Sequence, residues 1–311
     1  MSRKSLIKSG TPLIISAAVL WGMMGIFVRT LNGYGFSSMQ IVAVRVIFAA
    51  VLMGLVLLIK DRRLFKIKLK DIWCFLGTGV CSIVFFNFCY FRTIEISSLS
   101  AAAVMLYTAP VMVTAMSAVL FKEKLTIFKI IAAAAAFAGC ALVTGAIGEG
   151  ISVSGTALLL GLGSAFGYAL YSIFGRYALN RGYSSFTITF YTFLFASAGV
   201  ILFADIPDAV SKISAEPYVI FTGFMLALLI TVAPYLLYTA GLEKTDPGKA
   251  SVMASAEPVT AAVVGALLFD EVMNIYGIAG VFLVLCSVIL LNISPKSKKM
   301  PSIHRKCRIC Y

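Results

Sequence analysis

Ionisable side chains are what this sequence most conspicuously lacks: 13% of its 311 residues are charged, with 13 acids, 26 bases and a single histidine. One histidine, His304, cannot make a His-Glu-x-x-His centre, and no cluster of acids recurs at one depth of the chain. The visible machinery of an intramembrane hydrolase is therefore missing, and no catalytic residue is assigned. There is no Gly-x-x-x-x-Gly-Lys-Ser/Thr loop either, so no ATPase of the phosphate-loop kind is expected. His304, Cys307 and Cys310 offer three zinc donors in a basic tail, one short of a closed structural site. No metal or cofactor is expected. The seven cysteines fall in apolar stretches or in that tail, where thiols stay reduced, so disulfides are not expected.

Apolar surface, by contrast, is abundant: 60% of the residues are hydrophobic and the mean hydropathy is +0.98. One soluble core cannot hide that much, so lipid has to be the solvent. Crossing a ~30 Å hydrocarbon layer takes about 20 apolar residues in a helix. Uncharged stretches of that order lie between Lys8 and Arg29, Asp71 and Arg92, Glu95 and Lys122, Lys129 and Glu149, Glu149 and Arg176, Arg181 and Asp205, Glu216 and Glu243, and Glu271 and Lys296. Arg29 to Lys60 and Lys249 to Asp270 are similar but hold one charge each, Arg45 and Glu257. The expected fold is thus an all-α integral membrane protein of ten transmembrane helices. The first span is too long for a signal-peptide core and lacks a small-residue cleavage site, so it is read as retained.

A net charge of +13 could suggest nucleic acid, but the bases sit in short breaks between spans. Counted on alternate sides with the N-terminus inside, the inner segments hold 22 Lys and Arg and the outer ones 3. By the positive-inside rule this predicts a multi-pass protein of the cell membrane with both termini cytoplasmic. No nucleic-acid partner is needed to explain the basic loops.

The sequence also repeats itself. Ser9-Gly10-Thr11 and Trp21-Gly22 match Ser154-Gly155-Thr156 and Phe166-Gly167 at an offset of 145. Gly35-Phe36-Ser37-Ser38 matches Gly182-Tyr183-Ser184-Ser185 at 147, and Pro110 with Phe121-Lys122-Glu123 matches Pro258 with Phe269-Asp270-Glu271 at 148. Residues 1–148 and 149–294 are read as two copies, followed by a basic cytoplasmic tail, 295–311. Five spans per copy is an odd number, so the second copy enters the membrane in the opposite sense. Inverted repeats of this kind are a recurrent basis for alternating access in secondary transporters.

The set Leu106-Tyr107-Thr108-Ala109-Pro110 then Phe121-Lys122-Glu123, echoed by Ser255-Ala256-Glu257-Pro258 then Phe269-Asp270-Glu271, resembles the EamA-type repeat of the drug/metabolite transporter superfamily. Trp21-Gly22 and the lone Arg45 of the second span add to the resemblance, which covers nearly the whole chain apart from the tail. It implies a carrier of amino acids, related metabolites or drugs, often outward, without ATP hydrolysis. Other readings are a membrane-embedded enzyme or a channel-like or sensing protein. A channel favours rings of like residues along a pore, whereas two halves meeting at kinked helices favour rocking.

Matched intramembrane prolines point to where a solute sits, because each frees a carbonyl and bends its helix. Pro110 and Pro258 are such a pair near the midplane, whereas Pro234 faces Phe86 in the other copy. Glu257 is the one acid deep in a span, where a carboxylate is expensive unless paired, hydrogen-bonded or protonated. It either holds a substrate amine, titrates with protons in step with transport, or accepts hydrogen bonds from a neighbouring helix. Arg45 could attract an anion or Glu257, but a role in assembly is expected first. Asn87 and Tyr90 lie one turn apart on one helix face, with Tyr107, Tyr168, Tyr171, Tyr235 and Tyr238 available from other helices. Trp21 and its match Phe166 could wall a cavity from either side, although ordinary packing is the first expectation for each of them alone. The substrate-binding candidates are therefore Glu257, Arg45, Trp21, Asn87, Tyr90, Tyr107, Tyr168 and Tyr238, with a small solute and the lipid bilayer as partners. Glu123 and Glu271 hold equivalent helix ends on opposite membrane faces, where either could gate but a hydrated helix end is the simpler expectation.

Overall fold

A computed structural model describes residues 10–144, 154–269 and 274–293. The junction at Glu149, the helix-end Glu271 and the tail with His304, Cys307 and Cys310 lie outside the described residues. All regular structure among those residues is helical. Among the described residues seven helices are long and apolar enough to cross a membrane: α1 (Thr11–Gly33), α2 (Ser38–Lys60), α3 (Leu69–Ile96), α4 (Leu99–Phe121), α6 (Gly155–Asn180), α9 (Pro217–Lys244) and α10 (Pro247–Leu268). Three more apolar helices are shorter: α5 (Ile127–Val143), α7 (Ser185–Val200) and α11 (Ile275–Ile293). Their 16 to 19 residues rise roughly 24 to 28 Å at 1.5 Å per residue. A short amphipathic helix, α8 (Ile206–Ala215), precedes α9. Large apolar side chains such as Ile59, Leu159, Val119 and Phe282 are left exposed on these helices, as a surface solvated by hydrocarbon requires.

Helices pack in a scheme that maps onto itself when the halves are exchanged. α2 packs on α7, α4 on α10 and α5 on α11, while α3 on α6 is matched by α9 on α1. The repeated sequence signals have local physical causes. Gly35 and Gly182 take φ of +77° and +86°, a left-handed turn that favours glycine. Ser37 and Ser184 then cap α2 and α7 through the backbone N–H three residues on. Where α5 meets α11, a Cβ on Gly139 would lie 2.9 Å from the Gly280 carbonyl oxygen and one on Gly280 2.6 Å from that of Gly139. The two backbones touch there, as small-residue contacts between membrane helices allow.

The helices that meet at the centre are interrupted in matched places. α4 breaks between Leu106 and Ala109, and α10 at Ser255, so Pro110 and Pro258 each fall at the start of a restarted helix. There a proline removes no hydrogen bond that the helix would have made. α3 and α9 each contain a π-helical segment, Gly77–Val84 and Leu226–Val232, where an inserted residue shifts the bonding pattern. α1 also breaks, at Met23, whereas α6 runs unbroken through its matching residues.

Candidate solute site

The cavities lie at these interruptions. The larger is lined by Trp21 of α1, Ser82 and Phe86 of α3, Tyr168, Tyr171 and Ser172 of α6, and Tyr235 and Tyr238 of α9. Ser82 belongs to one π segment, and Tyr235 follows the other through Pro234. A second, smaller cavity lies at the two breaks and is lined by Leu106, Tyr107, Ala109, Pro110, Tyr168, Ser251, Ala254 and Ser255. Tyr168 walls both.

Glu257 sits in the first turn of the restarted half of α10, where the helix dipole favours an anion. Its Oε2 accepts a 3.3 Å hydrogen bond from the Tyr168 hydroxyl, and its side chain keeps some accessible surface. No ion pair joins it to Arg45 among the described residues. Arg45 is 4% exposed; its guanidinium reaches Asn87 Oδ1 at 3.4 Å and Met24 Sδ at 3.3 Å. Its Nε is buried without a partner. Asn87 in turn donates at 2.7 Å to the Ile83 carbonyl inside the π segment of α3.

A family model described as the EamA-like transporter family matches residues 8–145 and again 155–293, nearly the whole chain in two passes. The chain belongs to the EamA-like transporter family. It resembles an "Uncharacterized inner membrane transporter YicL" of Salmonella typhimurium, 24% identical over 94% of this chain and 97% of that one. An "Uncharacterized transporter" of Archaeoglobus fulgidus is 26% identical over 85% of this chain and 90% of its own length. A solved structure titled "Crystal structure of protein" shares the fold, with a TM-score of 0.73 at 17% identity over 93% of this chain and 96% of that one. The chain is thus a multi-pass membrane transporter, with a small solute and the lipid bilayer as its partners.

For this transporter, the sequence candidates divide into two groups. Trp21, Tyr168 and Tyr238 line the larger cavity, Tyr107 and Pro110 the smaller, and Glu257 is bonded to Tyr168. Tyr90 reaches the cavity only through Phe86, their rings 5.9 Å apart. Arg45 and Asn87 pair with each other beside the cavities and border neither. Phe166, the repeat partner of Trp21, is 45% exposed and lines neither of these cavities. Phe86, Ser82, Ser172 and Ser255 are not among the sequence candidates; a serine or phenylalanine in an apolar span carries no signal of its own, and the π segment of α3, the inner face of unbroken α6 and the break in α10 place them.

Glu123 corrects an expectation. Its side chain is 4% exposed rather than hydrated, with Oε2 3.0 Å from the Lys129 Nζ and 3.2 Å from the Ser117 Oγ. Lys129 also reaches Asp246 at 3.4 Å, so one ammonium, itself 4% exposed, bridges the α4–α5 turn and the α9–α10 turn. Burial pushes the Glu123 carboxyl above its usual range, with Lys129 pulling the other way. Helix-end position suggested water; the close packing of α10 on α4 removes it.

Proposed function

We propose that this chain is a secondary transporter that carries a small metabolite by alternating access, outward from the cytoplasm. In this reading ten helices cross the membrane as two inverted five-helix repeats, 1–148 and 149–294, with both termini cytoplasmic. The observation that carries it is the matching of the interruptions: breaks in α4 and α10 that border the smaller cavity, and π segments in α3 and α9, the first lining the larger cavity through Ser82 and the second followed by its lining residue Tyr235. Discontinuous helices in corresponding places of two repeats are where carriers bind and where one half rocks against the other. With the termini inside, the Glu123–Lys129–Asp246 triad lies at the cytoplasmic end and holds the halves together there. Glu257 exchanges protons or contacts the solute. Outward transport rests on the family resemblance.

Counterflow in proteoliposomes loaded with amino acids, purines or cationic drugs tests the proposal. A carrier accelerates entry of labelled solute when unlabelled solute is trapped opposite. Flux without that acceleration identifies a channel, and conversion of a solute to product identifies an enzyme.

A further inference from the structure

We propose that the turn between α2 and α3, remote from the solute cavities, binds the headgroup of an anionic phospholipid. Six bases, Lys60, Arg62, Arg63, Lys66, Lys68 and Lys70, stand there within eleven residues, and all are exposed. Lys60 lies over the Phe186 ring at 3.6 Å. The other five make no ion pair and donate no side-chain hydrogen bond among the described residues. Both acids of the turn are already committed. Asp61 Oδ1 accepts from the Arg63 backbone N–H at 2.8 Å, while Asp71 accepts from Arg181 Nε at 2.9 Å and from the Tyr183 hydroxyl at 2.8 Å. Five positive charges are thus held close together with no internal anion to offset them.

The turn is a fixed platform rather than a loose tether. The Thr187 and Tyr191 hydroxyls of α7 donate to the Leu64 and Phe65 carbonyls at 2.9 and 2.7 Å, and the Lys68 backbone N–H donates to the Tyr183 hydroxyl at 3.0 Å. Leu64, Phe65 and Ile67 pack inward against buried clusters. Lys66 and Lys68 have extended backbone, in which successive side chains point to opposite sides. With Ile67 inward, both ammonium groups project outward. Apolar neighbours fix their depth. Ile59 and Leu69, next in sequence to Lys60 and Lys70, are 86% and 84% exposed, a surface that hydrocarbon solvates. Trp73, with the Arg181 guanidinium 4.8 Å from its ring centroid, lies one turn further into α3, and tryptophan marks the membrane interface. The bases therefore sit at headgroup level. A soluble anion would use the charge alone, whereas a phosphate carrying acyl chains uses the exposed Ile59 and Leu69 as well. The repeat does not require this charge: at the offset of 147, residues 60–70 correspond to 207–217, whose one base, Lys212, is bound to Asp208.

Each base beside an anionic membrane surface strengthens attraction about fivefold. Purified protein in neutral detergent is titrated with phosphatidylglycerol, with phosphatidylcholine of the same chains and with water-soluble glycerol 3-phosphate, and bound lipid is counted by native mass spectrometry. Phosphatidylglycerol is expected to bind at least tenfold more tightly than either of the others, less so as salt is raised. Replacing Arg62, Arg63, Lys66, Lys68 and Lys70 together by Gln is expected to bring that preference within threefold. Lys122→Gln with Lys124→Gln, which removes exposed charge from the α4–α5 turn instead, leaves it intact. A thermal melt verifies folding of each variant; should the fivefold variant not fold, Lys66→Gln with Lys68→Gln is expected to lower the preference at least threefold. No preference for phosphatidylglycerol, a folded turn variant that keeps it, or equal loss in the Lys122 and Lys124 variant overturns the inference. Equal binding of glycerol 3-phosphate overturns it too, by assigning the turn to soluble phosphates. Counterflow is not a readout here, so failure of the carrier reading leaves this test unaffected.

Discussion

Asn87 joins features that lie far apart in the chain. Its amide nitrogen satisfies the Ile83 carbonyl in the π segment of α3, and its oxygen receives the Arg45 guanidinium from α2. Truncating Arg45 therefore strips a buried acceptor of its partner, at a cost of roughly 1–3 kcal/mol. Arg45→Ala is expected to lower the yield of folded protein and its melting temperature in detergent, together with transport. Normal folding with loss of affinity for an anionic solute alone would assign Arg45 to binding. Glu257 answers to a different test, because Gln keeps its size and hydrogen bonding but cannot titrate. If Glu257 couples transport to protons, Glu257→Gln loses uphill accumulation on an imposed pH gradient and retains solute exchange. A Gln variant that still accumulates solute uphill on that gradient removes Glu257 as the coupling group. Both residues were visible in the sequence because a charge in an apolar span has so few innocent explanations. Their failure to pair directly was not, since it depends on how α2, α3 and α10 are placed in space.

At the scale of the helix, two contacts carry predictions. Gly139 and Gly280 abut so closely that neither has room for a Cβ. Gly280→Val is expected to push α11 off α5 and destabilise the fold by roughly 1–3 kcal/mol, as overpacking does, read as a lower melting temperature. The second contact is the Lys129 triad. Lys129→Met leaves Glu123 buried without its cation, a loss of about 3–5 kcal/mol when one partner of a buried pair is removed. Burial raises the folded-state pKa of Glu123, so the folded state binds the proton more tightly than the unfolded one. Stability from this group is thus greatest below the usual glutamate range and declines as pH rises through the raised value. Removing Lys129 takes away the opposing pull, so the variant should regain stability on mild acidification more than the wild type does. A variant with the same pH dependence of melting as the wild type would show that Glu123 is hydrated after all. Helix existence, the matched prolines and the Gly-x-Ser-Ser caps were legible because each is a local signal. The π segments were not. Gly77–Val84 and Leu226–Val232 read as ordinary apolar helix, and only packing against neighbouring helices selects the inserted residue.

Across the whole molecule, the main pairings between the halves recur on exchange, α3 on α6 with α9 on α1 and α4 on α6 with α10 on α1, while the contact of α8 on α2 has no counterpart among the described residues. What repetition could not supply is asymmetry. Trp21 lines the cavity while its match Phe166 faces outward, and α1 breaks where α6 does not. Trp21 of the first half therefore meets Tyr235 and Tyr238 of the second in a cluster of rings that has no counterpart at Phe166. A site bounded by α1, α3, α6 and α9 has to face each side of the membrane in turn if the two halves rock. The most direct measurement places one cysteine at Ser82, a buried cavity-lining residue, with the other cysteines replaced. Impermeant thiol reagents are then applied separately to right-side-out and inside-out vesicles. Alternating access predicts labelling from both faces, and loss of the labelling on the cytoplasmic side alone when the α4–α5 and α9–α10 turns are cross-linked to each other. Labelling from one face only, with or without the cross-link, would contradict it.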